Sequence, residues 1–459
     1  MSDTPALPQV LIVGAGLSSL FLALLLDRID VPYQIFERAA TVKPLGAVMT
    51  LSAHIMPAFE QLGLYEDLQK ISIPTKAFHV YNSDIKKIGM LDGAKEKELV
   101  GYDRLLFARP LLYDLLLSKI PKERIHFSKK VASTRQDDKQ VTIECEDGTS
   151  YTGDMLVGAD GAYSVVRQSL YKELAEKGTL SQNDSQSLEK GYICLVGTTD
   201  PLDLEKYPGL DRPEADSSLV VGKGIPYAWT TFTMPENRIC WNVILQLRED
   251  ASKSVKSLKN AEWGAEANEA MIKEVYEFKT PWGIIGKLID ATPRDRISKV
   301  YLEDKLFETW NGGRTVLIGD ACHKMLPSAG MGAVNAMEDS VILANCIYEL
   351  TDLSVESIDA ACKDFRDQRY PHVVQQYIAS RVTGIIEFGH AWWERLFRHV
   401  LFNYLPTWIQ LRSVVKDSAY RPQATFLPLA KKRGIVDVIP QKPSKRNARE
   451  QQEIDPVTL

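Results

Sequence analysis

The stretch Val10 to Arg38, VLIVGAGLSSLFLALLLDRIDVPYQIFER, constrains this chain more than any other. Four apolar residues, Val10 to Val13, end in Gly14-Ala15-Gly16. An apolar helical pattern follows over Leu17 to Leu26, then a second strand pattern, Tyr33 to Phe36, closed by Glu37. Strand, glycine turn, helix, strand and acid form the sequence signature of a dinucleotide-binding βαβ unit. A chain carrying it is committed to an α/β fold with a parallel sheet.

Each part of the pattern has a physical task. Gly14 permits a sharp strand-to-helix turn, and Gly16, without a Cβ, lets a pyrophosphate approach the backbone. The helix then presents unpaired N–H groups and a partial positive charge. Glu37 stands 23 positions beyond Gly14, near the spacing of about 20 expected for a ribose-binding acid. A carboxylate there accepts from both ribose hydroxyls and repels a 2′-phosphate, which favours FAD or NAD over NADP. The third glycine position holds Ser19, which implies a slightly wider helix–strand gap. The alternative is an ordinary βαβ unit with a glycine turn and no ligand.

At 459 residues the chain is long enough for two or three domains. Apolar residues are 45% and charged residues 25%, as in a soluble globular protein. A net charge of −5 argues against nucleic acid as a partner. Six cysteines are scattered with no CxxC pair, which argues against both a metal centre and a disulfide framework. Residues 1–9 lack a basic stretch, so no signal peptide is expected and the expected location is cytoplasmic.

Two further stretches repeat the theme of the first. Gly153 to Arg167 reads GDMLVGADGAYSVVR: an apolar strand ends in Ala159-Asp160-Gly161, where α/β proteins place ligands. Thr315 to Ile318 is a short strand pattern that runs into Gly319-Asp320, Pro327, Gly330, Gly332-Ala333 and Asn335. The helix beginning near Gly332 and Ala333 can stabilise developing negative charge. His323 is either a ligand or base, or a structural histidine. Arg109 precedes a helix started by Pro110; the helix dipole disfavours a cation there, so a phosphate partner is expected, the alternative being an exposed arginine without a role. The loop with Gly46 and Ala47 either passes close to the ligand or is a plain connector.

Between these stretches lie strand patterns at 192–196, 219–221, 228–233 and 239–247, then a helical one at 265–278. They predict an antiparallel sheet forming a wall over a ligand. The polar segment 172–189 reads as a mobile insertion. The expected organisation is a first FAD-binding part over 1–175, a substrate domain over 176–300, a second FAD-binding part over 301–350, a helical region over 351–436 and a disordered tail over 437–459. Residues 390–411 combine Trp392, Trp393, Phe397, Tyr404 and Trp408 with Arg395, Arg398 and His399. The charges exclude a simple transmembrane span. An amphipathic helix of this kind either lies on the surface of an intracellular membrane or packs on the second domain or another subunit.

Taken together, Gly14-x-Gly16 with Glu37, Gly158 to Gly161, and Gly319-Asp320 through Asn335 resemble the class A flavin monooxygenases, relatives of para-hydroxybenzoate hydroxylase. The resemblance covers roughly residues 10–345. Every Gly, Asp, His, Pro and Asn position of the family's last motif is filled. The resemblance implies a Rossmann-like FAD-binding domain with a parallel sheet, an antiparallel substrate domain, C-terminal helices and one bound FAD. It assigns Glu37 to the adenosine ribose, Arg109 to the phosphates and Asp320 to the ribityl hydroxyls. It sets the backbone of Gly332 and Ala333 against the flavin pyrimidine edge and Pro327 beside the ring. Gly14, Gly16, Ala47 and Asp160 complete the cofactor set, with Asp160 in a motif associated with both FAD and the nicotinamide cofactor. The run His323-Lys324-Met325 is similar to fungal epoxidases and hydroxylases of secondary metabolism.

The implied reaction is insertion of one atom of O2 into an apolar or aromatic small molecule. NADH or NADPH, docked transiently, reduces FAD, and a C4a-hydroperoxyflavin transfers the oxygen. The cofactor carries this chemistry, and no catalytic side chain stands out. The competing functions are a flavin halogenase, a reductase or dehydrogenase of a prenyl or other apolar substrate, and a non-catalytic escort protein of the same fold. The Trp-x-Trp-x-Ile-Pro run of halogenases is absent.

Overall fold

The computed structural model describes residues 7–41, 48–247, 265–388, 392–404 and 407–454. Ala47 therefore lies outside the described residues. The chain begins with β1 (Val10–Val13), α1 (Leu17–Asp27) and β2 (Tyr33–Phe36), then β3 (Val48–Leu51), β4 (Ile73–Asn82), β5 (Lys87–Asp92), β6 (Leu105–Ala108) and α2 (Arg109–Leu117). It continues with β7 (Ile125–His126), β8 (Met155–Gly158), α3 (Val165–Glu176), β9 (Glu189–Thr198), β10 (Ala215–Val221), β11 (Tyr227–Met234) and β12 (Arg238–Gln246). The remainder holds α4 (Ala265–Val275), α5 (Ile285–Asp290), β13 (Ser298–Leu306), β14 (Asn311–Gly312), β15 (Thr315–Leu317), β16 (His323–Lys324), α6 (Gly332–Tyr348), α7 (Val355–Phe388), α8 (Trp392–Tyr404), α9 (Thr407–Asp417) and α10 (Lys445–Ile454).

A six-stranded sheet has the order β14-β15-β8-β1-β2-β7. Its pairs are parallel except β14 with β15. Helices cover such a sheet on both faces, so β1 is apolar throughout and fully buried. Helix α1 is buried from Leu17 to Leu26 because it lies between the sheet and α6. The small residues at its start allow that approach: Ser340 Oγ of α6 donates to the Ser18 carbonyl at 2.8 Å. Ser19 is fully buried, and its hydroxyl has no partner among the described residues.

The second sheet has ten strands, β16-β13-β9-β12-β11-β10-β4-β6-β3, with β5 beside β4. The expected strands at 192–196, 219–221 and 228–233 fall inside β9, β10 and β11, and 239–247 ends one residue beyond β12. The domain boundary differs from expectation. Strands β3 to β6, all within 48–108, belong to this second sheet, and β4 joins β10 in its parallel pair. The chain therefore leaves the nucleotide-type unit after β2, builds part of the other sheet and returns at β7. Strand β4 is polar and partly exposed at many positions, so it lacks the apolar run that marks a buried strand.

Two other expectations are corrected. The tail expected to be disordered forms α10, anchored where Asn447 Nδ2 donates to the Thr425 carbonyl at 2.7 Å and Tyr348 donates to Asn447 at 2.9 Å. The polar segment 172–189, expected to be mobile, is pinned by Asp184. That carboxylate is buried and accepts the backbone N–H groups of Glu308 and Thr309 at 2.7 and 2.9 Å. Polar composition misleads here because a single buried acid can satisfy two turn amides.

This arrangement carries a prediction. Asp184→Ala leaves both amides without their acceptor and costs about 1–3 kcal/mol. Chemical denaturation and limited proteolysis between residues 177 and 189 check it: stability should fall and cleavage should begin there. A variant with parental stability and resistance would show that the carboxylate does not pin the segment.

Candidate functional site

The three glycine-containing stretches meet at the start of α1. Gly14 has φ +95°, and a Cβ on it would fall 2.5 Å from the Ala159 carbonyl oxygen, so the first and second turns are in backbone contact. Gly16 differs: a Cβ there would meet nothing within 4 Å, and it caps α1 without a side-chain hydrogen bond. The helix end thus offers unpaired N–H groups beside open space, as a phosphate requires.

Glu37 follows β2. Its two carboxylate oxygens accept from the backbone N–H groups of Ala15 and Ala39, each at 2.9 Å, which binds the acid to the glycine turn. Asp160 follows β8 and accepts at the start of α3, whose N-cap is Ser164: its Oδ2 takes the N–H groups of Val165 and Val166 at 2.7 and 3.3 Å. Its Oδ1 is buried and has no partner among the described residues. Burial pushes this carboxyl up, against the pull of the helix N–H groups.

The third stretch sits on both others. Gly319 donates its N–H to Asp339 Oδ2 at 2.9 Å, and a Cβ on it would lie 3.4 Å from Ser18 Oγ. Asp320 accepts from Lys324 at 2.5 Å. Burial opposes its charge, but Lys324, His323 and Arg109 outweigh that and hold the carboxyl below the ordinary range. Arg109 is the first residue of α2, is exposed, and makes no ion pair among the described residues. Its field nonetheless reaches Asp320, so the two expected ligand-binding residues share one locality.

Pro327 opens a 3₁₀ turn over Pro327–Ala329, and the Gly330 N–H returns to the Pro327 carbonyl at 2.8 Å. Helix α7 braces this turn. Ser328 donates to the Ser380 carbonyl and Ser380 donates to the Leu326 carbonyl, both at 2.7 Å. Gly332 and Ala333 then begin α6, whose N-terminus has no side-chain cap. A Cβ on Gly332 would meet nothing within 4 Å. The site accordingly holds two uncapped helix ends, from α1 and α6, with Gly319, next to Asp320, packed against both at Ser18 and Ala336.

Residues that did not stand out in the sequence hold these parts in place. Arg369, fully buried on α7, donates from Nε to Asp339 Oδ1 at 2.8 Å and from Nη2 to Asn335 Oδ1 at 3.0 Å. Its Nη1 lies 2.9 Å from Glu338. His323 is fully buried, with Nε2 2.6 Å from Asp339 Oδ2. It is thus a structural residue of this network. For Glu338, burial pushes the carboxyl up despite Arg369. For Asp339, His323 and Arg369 overcome burial and pull the carboxyl down. Asp339 is therefore the ionised partner of Arg369. The adjacent acids Glu338 and Asp339 in an otherwise apolar helix were the available signal, since buried acids need a cation.

Arg167 ties the second stretch to the third. It donates to the Ala321 carbonyl at 2.8 Å and the Ala162 carbonyl at 2.7 Å. Among the described residues, Cys322, His323 and Asp339 form the cluster that could hold a metal. Its carboxylate is already neutralised by Arg369 and bonded to Gly319, which disfavours that use.

These contacts predict the effect of Asp339→Asn. The change leaves the buried Arg369 charge without its ionised partner and should cost about 3–5 kcal/mol, as for other broken buried pairs. Denaturant unfolding reads this directly. A loss below about 1 kcal/mol would mean that Glu338 ionises instead and carries the pair alone.

A family model described as FAD binding domain matches residues 8–189 and 259–362, more than half of the chain. The FAD-dependent monooxygenase ausM of Aspergillus calidoustus is 30% identical over 386 residues, covering 82% of this chain and 80% of that protein. The monooxygenase of the same name from Emericella nidulans is 28% identical over 452 residues, covering 95% and 90%. The crystal structure of Klebsiella pneumoniae HpxO complexed with FAD and uric acid superimposes with a TM-score of 0.73 at 20% identity, covering 90% of this chain and 97% of that one. The converging turns, the two-sheet architecture and these likenesses lead to one assignment: the chain belongs to the class A FAD-dependent monooxygenase family.

Proposed function

We propose that this protein is an NADH- or NADPH-dependent monooxygenase that hydroxylates or epoxidises an apolar or aromatic small molecule. The observation that carries the reading is the uncapped N-terminus of α6 at Gly332 and Ala333, set next to Asp320 and backed by Arg369. FAD, when bound, takes two electrons from the nicotinamide and delivers one atom of O2 to the substrate, the other leaving as water.

The chain's own residues fit that cofactor. Gly16 leaves room for the pyrophosphate at the end of α1, and Arg109, exposed and without an ion pair among the described residues, adds a cation for it. Each Glu37 oxygen uses one lone pair on a backbone N–H and keeps another for a ribose hydroxyl. Asp320 is held ionised, ready to accept from ribityl hydroxyls. The N–H groups at Gly332 and Ala333 would meet negative charge on the flavin, and Pro327 would stiffen the turn that holds it. Asp160, with one oxygen still unpartnered, is the member of the set that can serve either FAD or the nicotinamide.

The competing reading is a reductase or dehydrogenase of an apolar substrate, or a non-catalytic escort. Turnover under ¹⁸O2 separates them. A monooxygenase incorporates one labelled atom into the product. Label arriving only from water, or turnover that continues without O2, would exclude the proposed reaction.

We also propose that α8 rests on the surface of an intracellular membrane, with the body of the protein in the cytoplasm. Its polarity is inverted. Glu394 and Arg398 are buried, whereas Trp392, Trp393, Leu396, Phe397, Val400 and Tyr404 are exposed, as is Trp408 of α9. The helix thus packs on the body through Glu394 and Arg398 and leaves its aromatic side chains outward beside the exposed Arg395 and His399, as at a membrane interface. Among the described residues no helix is long and apolar enough to cross a membrane. Burying one such side chain contributes about 1.5–3 kcal/mol. Replacing Trp392, Leu396 and Phe397 together with serine should therefore lower cosedimentation with phosphatidylcholine–phosphatidylserine vesicles by tenfold or more, on the order expected from that burial. Equal pelleting of parent and variant would overturn the contact.

A further inference from the structure

The two faces of the ten-stranded sheet differ. One packs against α4 and α5 through Leu195, Val220, Trp229, Trp241 and Val243. The other carries Val80, Cys194, Leu219, Val221, Ala228 and Ile244, and contacts Leu326, just before Pro327, and Phe388 at the end of α7. This second face therefore looks toward the turn that would support the flavin.

Two polar side chains interrupt the middle of that apolar face. Thr230 of β11 and Asn242 of β12 are direct cross-strand partners, which sets their Cβ atoms about 4.5–5.5 Å apart. Alternation along the strands puts Thr230 on the face of Ala228, and Asn242 on that of Ile244. Thr230 is 5% exposed. Thr230 Oγ1 and Asn242 Oδ1 are both buried and have no hydrogen-bond partner among the described residues. The neighbouring polar pair on the opposite face behaves differently: Ser218 and Thr231 bond each other at 2.6 Å. An unsatisfied buried hydroxyl and amide oxygen side by side are unfavourable for folding. Valine and leucine would suit the sheet better, so their use must come from something that binds there.

We infer that Thr230 and Asn242 together hold one hydroxyl group of a substrate that is otherwise apolar. A hydroxyl both donates and accepts. It would donate to Asn242 Oδ1 and accept from Thr230. The residues that flank the pair on this face, Val196, Leu219, Ala228, Phe232, Cys240 and Ile244, are uncharged. A carboxylate or phosphate at this point would be buried without a cation, so the group read here is an alcohol or phenol on a hydrocarbon skeleton. The inference rests on the monooxygenase reading and deepens it by naming the substrate class. Thr230 and Asn242 set specificity and hold the substrate's orientation; they take no part in the oxygen transfer.

The test uses the purified, FAD-loaded full chain. Flavin absorbance is followed during titration with farnesol and with decahydro-2-naphthol, each compared with its methyl ether. The parent protein should bind at least one alcohol about tenfold or more tightly than its ether, the size expected for a hydrogen bond made only by the alcohol. Asn242→Leu should erase that preference, because only the alcohol can donate to Asn242 Oδ1, whereas Thr230→Val should weaken alcohol and ether alike and Thr230→Ser should restore that affinity. Without ligand, Thr230→Val should melt at the same temperature as the parent or higher, because it removes an unpaired buried hydroxyl. Equal affinity for alcohol and ether, no binding of either alcohol, a preference that survives in Asn242→Leu, or a clear drop in the melting temperature of ligand-free Thr230→Val would each overturn the inference. A protein that retains flavin and labels its product from ¹⁸O2 while ignoring the hydroxyl refutes this inference alone. Absence of label refutes the monooxygenase reading even where the alcohol is preferred.

Discussion

The buried pairing of Arg369 with Asp339 is the interaction on which the site depends. It lies at zero exposure, where an unpaired guanidinium would be strongly unfavourable. Asp339 serves three groups at once: Arg369, His323 and the Gly319 N–H. Arg369 in turn reaches Asn335 in the first turn of α6. One carboxylate and one guanidinium therefore fix the Gly319-Asp320 turn, the α6 N-terminus and α7 relative to one another. A helix end can stabilise charge only when its position is set to within a fraction of an ångström, and this pair supplies that rigidity from beneath.

Helix α7 also links the two sheets. Its middle provides Arg369, Ser380 braces the Pro327 turn, and Phe388 closes the apolar face of the second sheet. The helix then gives way to α8 with its outward aromatic face. A single helix thus joins the brace of the Pro327 turn to the apolar face of the second sheet.

Local signals made much of this legible from sequence. The βαβ unit at 10–36 declared itself because its strand, glycine turn and helix are contiguous, and the antiparallel strands after residue 189 alternate or run apolar over turn-bounded segments. Strands β3 to β6 were not legible as part of the second sheet. β3, β5 and β6 pair only within 48–108; the link to the second sheet is the pairing of β4 with β10, over a hundred residues away, and nothing within 48–108 states it. Asp184 and α10 were misread for a related reason: polar composition predicts solvation unless a distant backbone group is known to be waiting for it. His323 stayed open between chemistry and structure until its burial against Asp339 was known.

By itself, then, the sequence determined the fold class, the three ligand-type turns and the glycines that they require, since φ at Gly14 and the open backbone at Gly16 follow from local chain geometry. Tertiary structure decided which charges are neutralised and which stay without an ion pair among the described residues. Glu338 and Asp339 are adjacent in sequence and similar in chemistry, yet one is held ionised and the other pushed toward its neutral form. Arg109 and Arg369 are both arginines within helices, yet one is exposed without an ion pair among the described residues and the other is sealed in the core. Thr230 and Thr231 differ only in which face of a strand they occupy. In each case burial and the identity of a distant neighbour set the electrostatics, and neither is encoded within the few residues on either side.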